Sequence, residues 1–100
     1  MGNDYGNIVA KADPDYLKDA GSIEPFTLNW VSELKADTIS TSAWTLPDGL
    51  VNVSDSNTNS EATIKVSGGT DGYTYRLVNS IVTAGGYTYE KTIVVKVDER

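Results

Sequence analysis

The sequence contains neither cysteine nor histidine. Without cysteine no disulfide frame can hold the fold, which fits folding in a reducing cytoplasm. The chain also lacks the commonest general base, the thiol nucleophile and two common metal ligands. Paired carboxylates are left for catalysis, but a chain of 100 residues has little room for the deep cleft that such chemistry uses. We therefore expect a protein that binds and is not an enzyme, and we expect no cofactor.

Basic residues and long apolar runs are also few. Eight basic residues against fourteen acidic ones give a formal net charge of -6. Phosphate groups and anionic membranes attract basic surfaces, so this charge disfavours nucleic acid and membranes as partners. No run approaches the roughly 18 apolar residues of a transmembrane helix. The first residues, Met1 to Lys11, lack the basic and apolar parts of a signal peptide.

What the sequence does have, from Phe26 onward, is a regular alternation of apolar and polar residues. Alternation with a period of two is typical of strands that bury one face. It predicts strands at Phe26 to Val31, Thr38 to Leu46, Leu50 to Ser54, Ala62 to Val66, Tyr73 to Val82 and Tyr87 to Asp98. The last two flank a glycine-containing loop and form a hairpin. Short strands at this spacing predict an all-β fold, an Ig-like antiparallel β-sandwich of six to seven strands.

Residues 1–25 are different, because glycine and proline interrupt them repeatedly. We interpret them as an N-terminal arm attached to a sandwich domain of residues 26–100. A short strand is expected within the arm at Ile8 to Lys11. The segment Asp13-Pro14-Asp15 could begin a helical turn, because an acidic cap and an early proline suit a helix start. An extended arm is the alternative.

Two tryptophans are the largest candidates for the core. Trp30 and Trp44 both lie on predicted strands, where an indole can bridge the sheets of an Ig-like sandwich; an exposed ligand platform is the alternative. Tyr75 stands near the start of a long strand, so it should form a tyrosine corner with its hydroxyl bonded to nearby backbone. The full predicted core is Phe26, Leu28, Trp30, Ile39, Trp44, Leu50, Ile64, Val66, Tyr75, Leu77, Ile81, Ile93, Val95 and Val97.

Three further tyrosines are candidates for an interface. Tyr73, Tyr87 and Tyr89 lie near the two ends of the terminal hairpin, and exposed tyrosine is enriched where proteins meet. Ordinary filling of strand positions is the alternative, since tyrosine favours strands. Open strand edges could pair with another chain. The loops at residues 32–37, 55–60 and 68–72 are the expected contact tips.

One polar loop has oxygen-bearing side chains at alternate positions. The segment Asp55-Ser56-Asn57-Thr58-Asn59-Ser60-Glu61 resembles a calcium-binding loop in this respect. Ser60 and Val66 stand where such a loop needs a glycine and a closing glutamate. A turn built on Asx side chains is therefore the better interpretation, and we expect no metal site. A still weaker candidate is the acidic trio Asp13, Asp15 and Asp19.

Several short motifs resemble those of a known family. They are Asp13-Pro14-Asp15, Trp30, TISTSAWTLPDGL at residues 38–50, SGGTDGYTY at 67–75 and NSIVTAGG at 79–86. Together they resemble the small phage proteins called fiber-tail adaptor proteins, over residues 11–100. The sequence departs from the family in two places. The segment between Asp15 and Trp30 is longer, and Ser80 and Tyr87 stand where the family has basic residues.

The resemblance implies an Ig-like domain that is made in the host cytoplasm, sits in the virion and links tail and fibre components. The expected partners are other virion proteins, from the tail, fibre or neck. The chain is expected to form a homo-oligomer or to occur in several copies per particle. Two alternatives stay open at this point: a head-decoration or neck protein of the virion, and a stand-alone carbohydrate-binding or adhesion module.

Overall fold

The computed structural model describes residues 14–98 of the chain. These residues form seven strands and one helical turn. In chain order they are β1 (Tyr16–Lys18), β2 (Glu24–Asn29), α1 (Val31–Leu34), β3 (Ile39–Thr45), β4 (Leu50–Asn57), β5 (Glu61–Gly68), β6 (Thr74–Thr83) and β7 (Thr88–Val97). Within residues 14–98, no helix has the length and apolar character needed to cross a membrane.

Two stacked sheets make up the fold. One has the strand order β1-β7-β6-β3 and the other has the order β2-β5-β4. The predicted all-β, Ig-like sandwich is confirmed. Its pairings are antiparallel except that of β1 with β7, in which Tyr16 lies opposite Val95. This parallel pair is an exception to the antiparallel pairing that the sequence predicted. After β1 the chain crosses to the other sheet, so no hairpin imposes an antiparallel direction on it.

The predicted boundary between arm and domain needs a correction. Residues 16–18 and 24–25, which the sequence assigned to an arm, are strand residues of the sandwich. A helical turn after Asp13-Pro14-Asp15 is wrong as well, because the chain passes there directly into β1. β1 has only three residues, which are too few to show a period. The expected strand at Ile8 to Lys11 lies outside the described residues.

Two of the predicted contact loops contain regular structure. The loop at residues 32–37 begins inside α1, whose four residues are too few to show a helical period. The loop at residues 55–60 begins inside β4, which runs to Asn57 beside β5. Beyond Leu50, β4 is exposed on both faces. It therefore lacks the alternation of apolar and polar residues that reveals a strand in a sequence.

Side chains from both sheets fill the space between them. All predicted core residues are buried except Leu28 and Trp44, which are half-buried. The larger apolar cluster holds Phe26, Leu50, Ile64, Val66, Tyr75, Leu77, Ile93, Val95 and Val97. The smaller cluster holds Trp30, Leu34, Ile39, Ala62 and Ile81. Trp44 packs against both clusters, so it joins them from an edge strand without being enclosed.

A buried amide crosses the core between the two sheets. Asn79 is fully buried on β6, and its Oδ1 accepts a hydrogen bond from Trp30 Nε1–H at 2.9 Å. Its Nδ2 donates to Ser42 Oγ at 3.0 Å and to the Ala43 carbonyl at 3.1 Å. Trp30 directly follows β2, whereas Ser42 and Ala43 lie on β3. The amide therefore ties the end of the three-stranded sheet to an edge of the four-stranded sheet.

Replacing Asn79 by alanine should lower the free energy of unfolding by about 3 kcal/mol. The change leaves the buried Trp30 N–H without its partner and opens a small cavity. Urea denaturation measures the effect. Ser80→Ala, at the neighbouring outward position, is the matched control and should change stability by less than about 0.5 kcal/mol. Equal stabilities of the two variants would contradict a structural role for Asn79.

Candidate interaction surfaces

Aromatic side chains line up at one end of the sandwich. This end comprises α1, the start of β3, residues 58–60 and the hairpin loop at 84–87, and we call it the helix end. The Trp30 and Tyr89 rings stack with centroids 6.4 Å apart, and Tyr89 stacks on Tyr87 at 6.5 Å. Trp30 is 1% exposed, whereas Tyr87 is 61% exposed. The row leads from a buried ring to an exposed one, so Tyr87 is held in position before any partner binds.

A charged pair closes over the buried end of this aromatic row. Lys91 Nζ lies 4.9 Å from the centroid of the Trp30 ring, which is within the range of a cation–π interaction. The same ammonium group pairs with Glu33 Oε2 at 2.7 Å. The hydrogen bond from Lys91 holds the pKa of the Glu33 carboxyl below its usual value. Because Glu33 belongs to α1 and Lys91 to β7, the pair fastens the helical turn to the sheet.

Asp37 holds the hairpin loop at the same end. Its Oδ1 accepts hydrogen bonds from the N–H of Thr38 at 2.8 Å and of Gly85 at 3.2 Å. A hydrogen bond from the Thr83 hydroxyl, followed by the one from the Thr38 N–H, lowers the pKa of Asp37 from its usual value. A Cβ atom at Gly85 would lie 2.7 Å from Asp37 Oδ2, so a larger residue there would displace the carboxylate from its present position. The loop that presents Tyr87 is thereby fixed to the entry of β3.

A groove of about 220 Å³ opens beside α1. Its walls are Val31, Leu34, Ala36, Asp37, Thr38, Asn59 and Ser60. Pockets that enclose drug-sized ligands have volumes of roughly 300–1,000 Å³. The groove therefore suits one side chain of a partner better than a whole ligand.

The opposite end of the sandwich comprises residues 19–23, 46–49 and 68–73, and we call it the loop end. The Tyr75 hydroxyl accepts a hydrogen bond from the Thr70 N–H at 2.9 Å. Tyr73 stacks on Tyr75 with ring centroids 6.2 Å apart and is 60% exposed. Gly69 has a φ of +100°, and a Cβ atom there would lie 2.6 Å from Val97 Cγ2. At this end too, a buried ring in a fixed loop supports an exposed ring.

Lys18 anchors β1 at the loop end. The residue is fully buried, and its Nζ donates hydrogen bonds to the carbonyls of Asp19 at 2.8 Å and Gly68 at 2.7 Å. Burial lowers the pKa of Lys18, while the charges of Glu24 and Asp19 act in the opposite direction. A buried ammonium group is costly unless it is paired and hydrogen-bonded. Lys18 therefore requires the end of β5 to stay beside β1.

The three predicted interface tyrosines do not form one site. Tyr87 and Tyr89 lie together at the helix end, whereas Tyr73 lies at the loop end. The ten residues of β6 separate them, which is roughly 30 Å along the strand. Tyr89 is half-buried between the Trp30 and Tyr87 rings, so it offers less surface to a partner. The use of these tyrosines as an interface stays a prediction.

The polar residues that hold the helix end and the loop end in place were not predicted from the sequence. Asn79 lies between Leu77 and Ile81 in the inward phase of β6, and a polar residue in such a phase signals a buried hydrogen bond. That signal was present in the sequence. Lys18 and Asp37 gave no such signal, because each is a charged residue next to a turn or loop, where charged residues are common.

Acidic side chains do not gather into a metal site in the part of the chain that the structure describes. Among residues 14–98 there is no group of three or more side chains of the metal-binding types. Asp55, in the predicted polar loop, accepts a hydrogen bond from Asn52 Nδ2 at 2.8 Å. In the weaker acidic trio, Asp15 accepts a hydrogen bond from the Val94 N–H at 2.8 Å. Asp13 lies outside the described residues.

These features define a class of protein, an Ig-like sandwich whose buried contacts support exposed aromatic side chains at two ends. In fold, the chain is similar to the PKD domain of the KIAA 1837 protein, known from a solution structure. The TM-score is 0.54 at 22% identity, over 99% of this chain and 94% of that chain. At this identity the likeness shows the fold alone. Among curated proteins, no sequence matches the chain significantly.

The family follows from the sequence match. The family described as podophage GP4 fiber-tail adaptor protein gp77 matches residues 18–96. The chain belongs to this family, and the resemblance of its motifs is confirmed. It is accordingly a structural adaptor protein of a phage virion that binds other virion proteins.

The motifs that carry the resemblance serve the scaffold. Asn79 and Ser42 are hydrogen-bonded to each other between β6 and β3. Tyr75 accepts a hydrogen bond from the loop at 68–72, and Gly69 allows the close approach of that loop to β7. The motifs therefore describe how the sandwich is held together.

Asp37→Asn should be less stable than the native chain at pH 7, and the difference should narrow as the pH falls from 7 to 3. The pKa of Asp37 is lowered in the folded state, so its stabilising contribution is complete above the pKa of an unfolded aspartate, about 3.9. The contribution is lost as the pH falls through the lowered folded pKa. Urea denaturation at both pH values measures the difference.

Asp48→Asn, in the exposed turn before β4, is the matched control for this experiment. It should change stability little at pH 7. A gap between native chain and Asp37→Asn that is as wide at pH 3 as at pH 7 would show that the charge of Asp37 is not what stabilises the loop.

Proposed function

We propose that the chain links tail and fibre components of the virion through protein contacts alone. The observation that carries the proposal is the match of residues 18–96 to a family described as fiber-tail adaptors. A protein that bridges two others needs two separate binding surfaces. The helix end and the loop end of the sandwich are the candidates for these surfaces.

Each end offers a surface of the same kind. Tyr87 and Val31 are more than half exposed at the helix end, and Tyr73 and Ile23 are more than half exposed at the loop end. Aromatic side chains are over-represented among the residues that dominate binding energy at interfaces. Each exposed tyrosine rests on a second ring, so a partner would have little side-chain ordering left to impose. Two such surfaces on a rigid sandwich suit a bridging role.

The net charge of the chain favours proteins as its partners. A net charge of -6 disfavours nucleic acid and the anionic face of a membrane. We include in the proposal that the chain is made in the host cytoplasm, acts without catalysis and occurs in several symmetry-related copies per particle. Repeated copies around a tail axis would present each end of the sandwich as a ring.

Tyr87→Ser and Tyr73→Ser form a matched pair, because they change the same residue type at nearly equal exposure, 61% and 60%, at opposite ends. Each should weaken binding at its own end by about 2 kcal/mol, or roughly thirtyfold. Particles are assembled with each variant in place of the native chain, and the chain and the fibres are counted by quantitative mass spectrometry. For one of the two variants, the count of the chain itself should fall. For the other variant, the count of the chain should stay normal and the count of fibres should fall.

Lys65→Ser, on the exposed centre of β5, is the control and should leave both counts unchanged. Thermal melts establish that each variant is folded. Normal counts of chain and fibres with both tyrosine variants would contradict the proposal that the two ends bind partners. Binding of a free glycan by the monomeric chain, without incorporation into particles, would favour the carbohydrate-binding alternative instead.

A further inference from the structure

The outer face of the four-stranded sheet carries a line of apolar side chains. Along β6, buried residues alternate with less buried ones, so every second side chain points away from the other sheet. The pairings of the strands place these outward residues relative to one another. The apolar line runs through Ala43 of β3, Val78 of β6, Val94 of β7 and Leu17 of β1. We call these four residues the outer stripe.

The outer stripe crosses the sheet as a straight diagonal. Ala43 lies opposite Ser80, two residues after Val78 on β6, and Val94 lies opposite Arg76, two residues before Val78. The pairing of β1 with β7 places the fourth residue one equal step further on. Each step is roughly 8 Å, which makes the stripe roughly 25 Å long. It leads from the helix end to the loop end.

Side chains of the outer stripe are accessible to a partner. Leu17 is 45% exposed, Ala43 is exposed, and Val78 and Val94 are half-buried. Val82, beside the stripe on β6, is 39% exposed. Alanine and valine have little rotamer freedom to lose when they are covered. A partner that packs on the stripe therefore buries apolar surface at a small cost in side-chain entropy.

Opposite charges flank the outer stripe. Arg76 lies on one side of it and Glu90 on the other, and both are exposed. Four residues along the strands and one strand sideways separate them, roughly 14 Å, so they are too far apart to pair within one chain. Among the described residues, the third outward charge of this face is Lys96. Although the chain has a net charge of -6, this face is not acidic and does not repel a second copy.

We propose that two copies of the chain pack face to face through the outer stripe, about a two-fold axis that runs along it. This axis lays the stripe of one copy over the stripe of the other. It also exchanges the two flanks, so Arg76 of each copy faces Glu90 of the other copy. A two-fold interface requires a surface that is complementary to itself, and charges that match across an interface fix its register.

Such a pair suits a bridging protein. Because the axis follows the stripe from the helix end to the loop end, both copies point the same way. The pair presents two helix ends on one side and two loop ends on the other. Each partner of the bridge is then held at two points, which strengthens weak contacts. The pairing extends the proposed function by naming the surface through which copies meet, and it does not depend on what the ends bind.

The size of the face predicts a weak dimer in free solution. Four strands over a length of roughly 25 Å offer roughly 500 Å² per copy. Stable interfaces bury about 800 Å² per partner, and smaller ones are transient. We therefore expect a dissociation constant on the order of 100 μM for the isolated chain. Copies that are held close together in a particle would pair more completely.

Sedimentation equilibrium of the full chain, from about 10 μM to about 1 mM, tests the pairing. Arg76→Glu and Glu90→Arg each place like charges opposite each other twice in a dimer. Each variant alone should bind itself at least about tenfold more weakly than the native chain does. An equimolar mixture of the two variants should form a dimer about as strong as the native one, because both contacts in a mixed pair join opposite charges.

Val78→Lys and Val51→Lys are a matched pair that tests which face is used. Val78 is at the centre of the outer stripe, whereas Val51 is exposed on the other sheet, on β4. Val78→Lys should leave the chain monomeric, and Val51→Lys should dimerise like the native chain. Thermal melts establish that all variants are folded.

A native chain that stays monomeric at the highest concentration would overturn the proposal. A mixture of Arg76→Glu and Glu90→Arg that stays monomeric while the native chain dimerises would overturn it as well. Either result would leave the bridging role untouched, because that role is tested by the counts of chain and fibres in particles.

Discussion

The hydrogen bond from the Trp30 indole to the Asn79 amide is the contact on which the arrangement of the two sheets depends. The chain has no cysteine, so no covalent link joins the sheets. Apolar packing alone is non-directional and would tolerate a sliding of one sheet over the other. The buried amide restricts that freedom, because its three hydrogen bonds fix Trp30 and the strand β3 relative to β6 at once. The hydrogen bond from Lys18 to the Gly68 carbonyl adds a second directional contact between the sheets at the loop end. A buried polar group of this kind is costly unless every bond is made.

Buried contacts fix the geometry at both ends of the molecule. At the helix end, Trp30 supports the aromatic row that ends at Tyr87, and Lys91 binds α1 through Glu33. At the loop end, Tyr75 and Lys18 hold the loop beside Tyr73. The bridging role proposed above requires that the position of one partner be transmitted to the other. Rigid support beneath each exposed ring is what that task requires, and Ser42, Asn79, Gly69 and Tyr75 of the family motifs belong to this support.

The strands with a regular alternation of apolar and polar residues could be predicted from the sequence, whereas elements without it were missed. Strands with one buried face, such as β6 and β7, show this alternation whatever they pack against. β1 and α1 are shorter than one clear period, and β4 has no buried face beyond Leu50. Tyr75 is in phase with Leu77 and Ile81 on β6, so the alternation alone placed it on the buried face. Lys18 and Asp37 form hydrogen bonds with residues far along the chain. These partners come close only when the chain folds, so the local sequence does not reveal them.

The role of the Trp30–Asn79 contact is tested most directly by a double-mutant cycle. Trp30→Phe removes the indole N–H while keeping a ring, Asn79→Ala removes the acceptor, and the double variant removes both. The unfolding free energies of the four chains give the coupling between the two side chains. A coupling energy of about 1–2 kcal/mol is the predicted result. Losses that add within about 0.3 kcal/mol would show that the two side chains act independently, and would contradict the account.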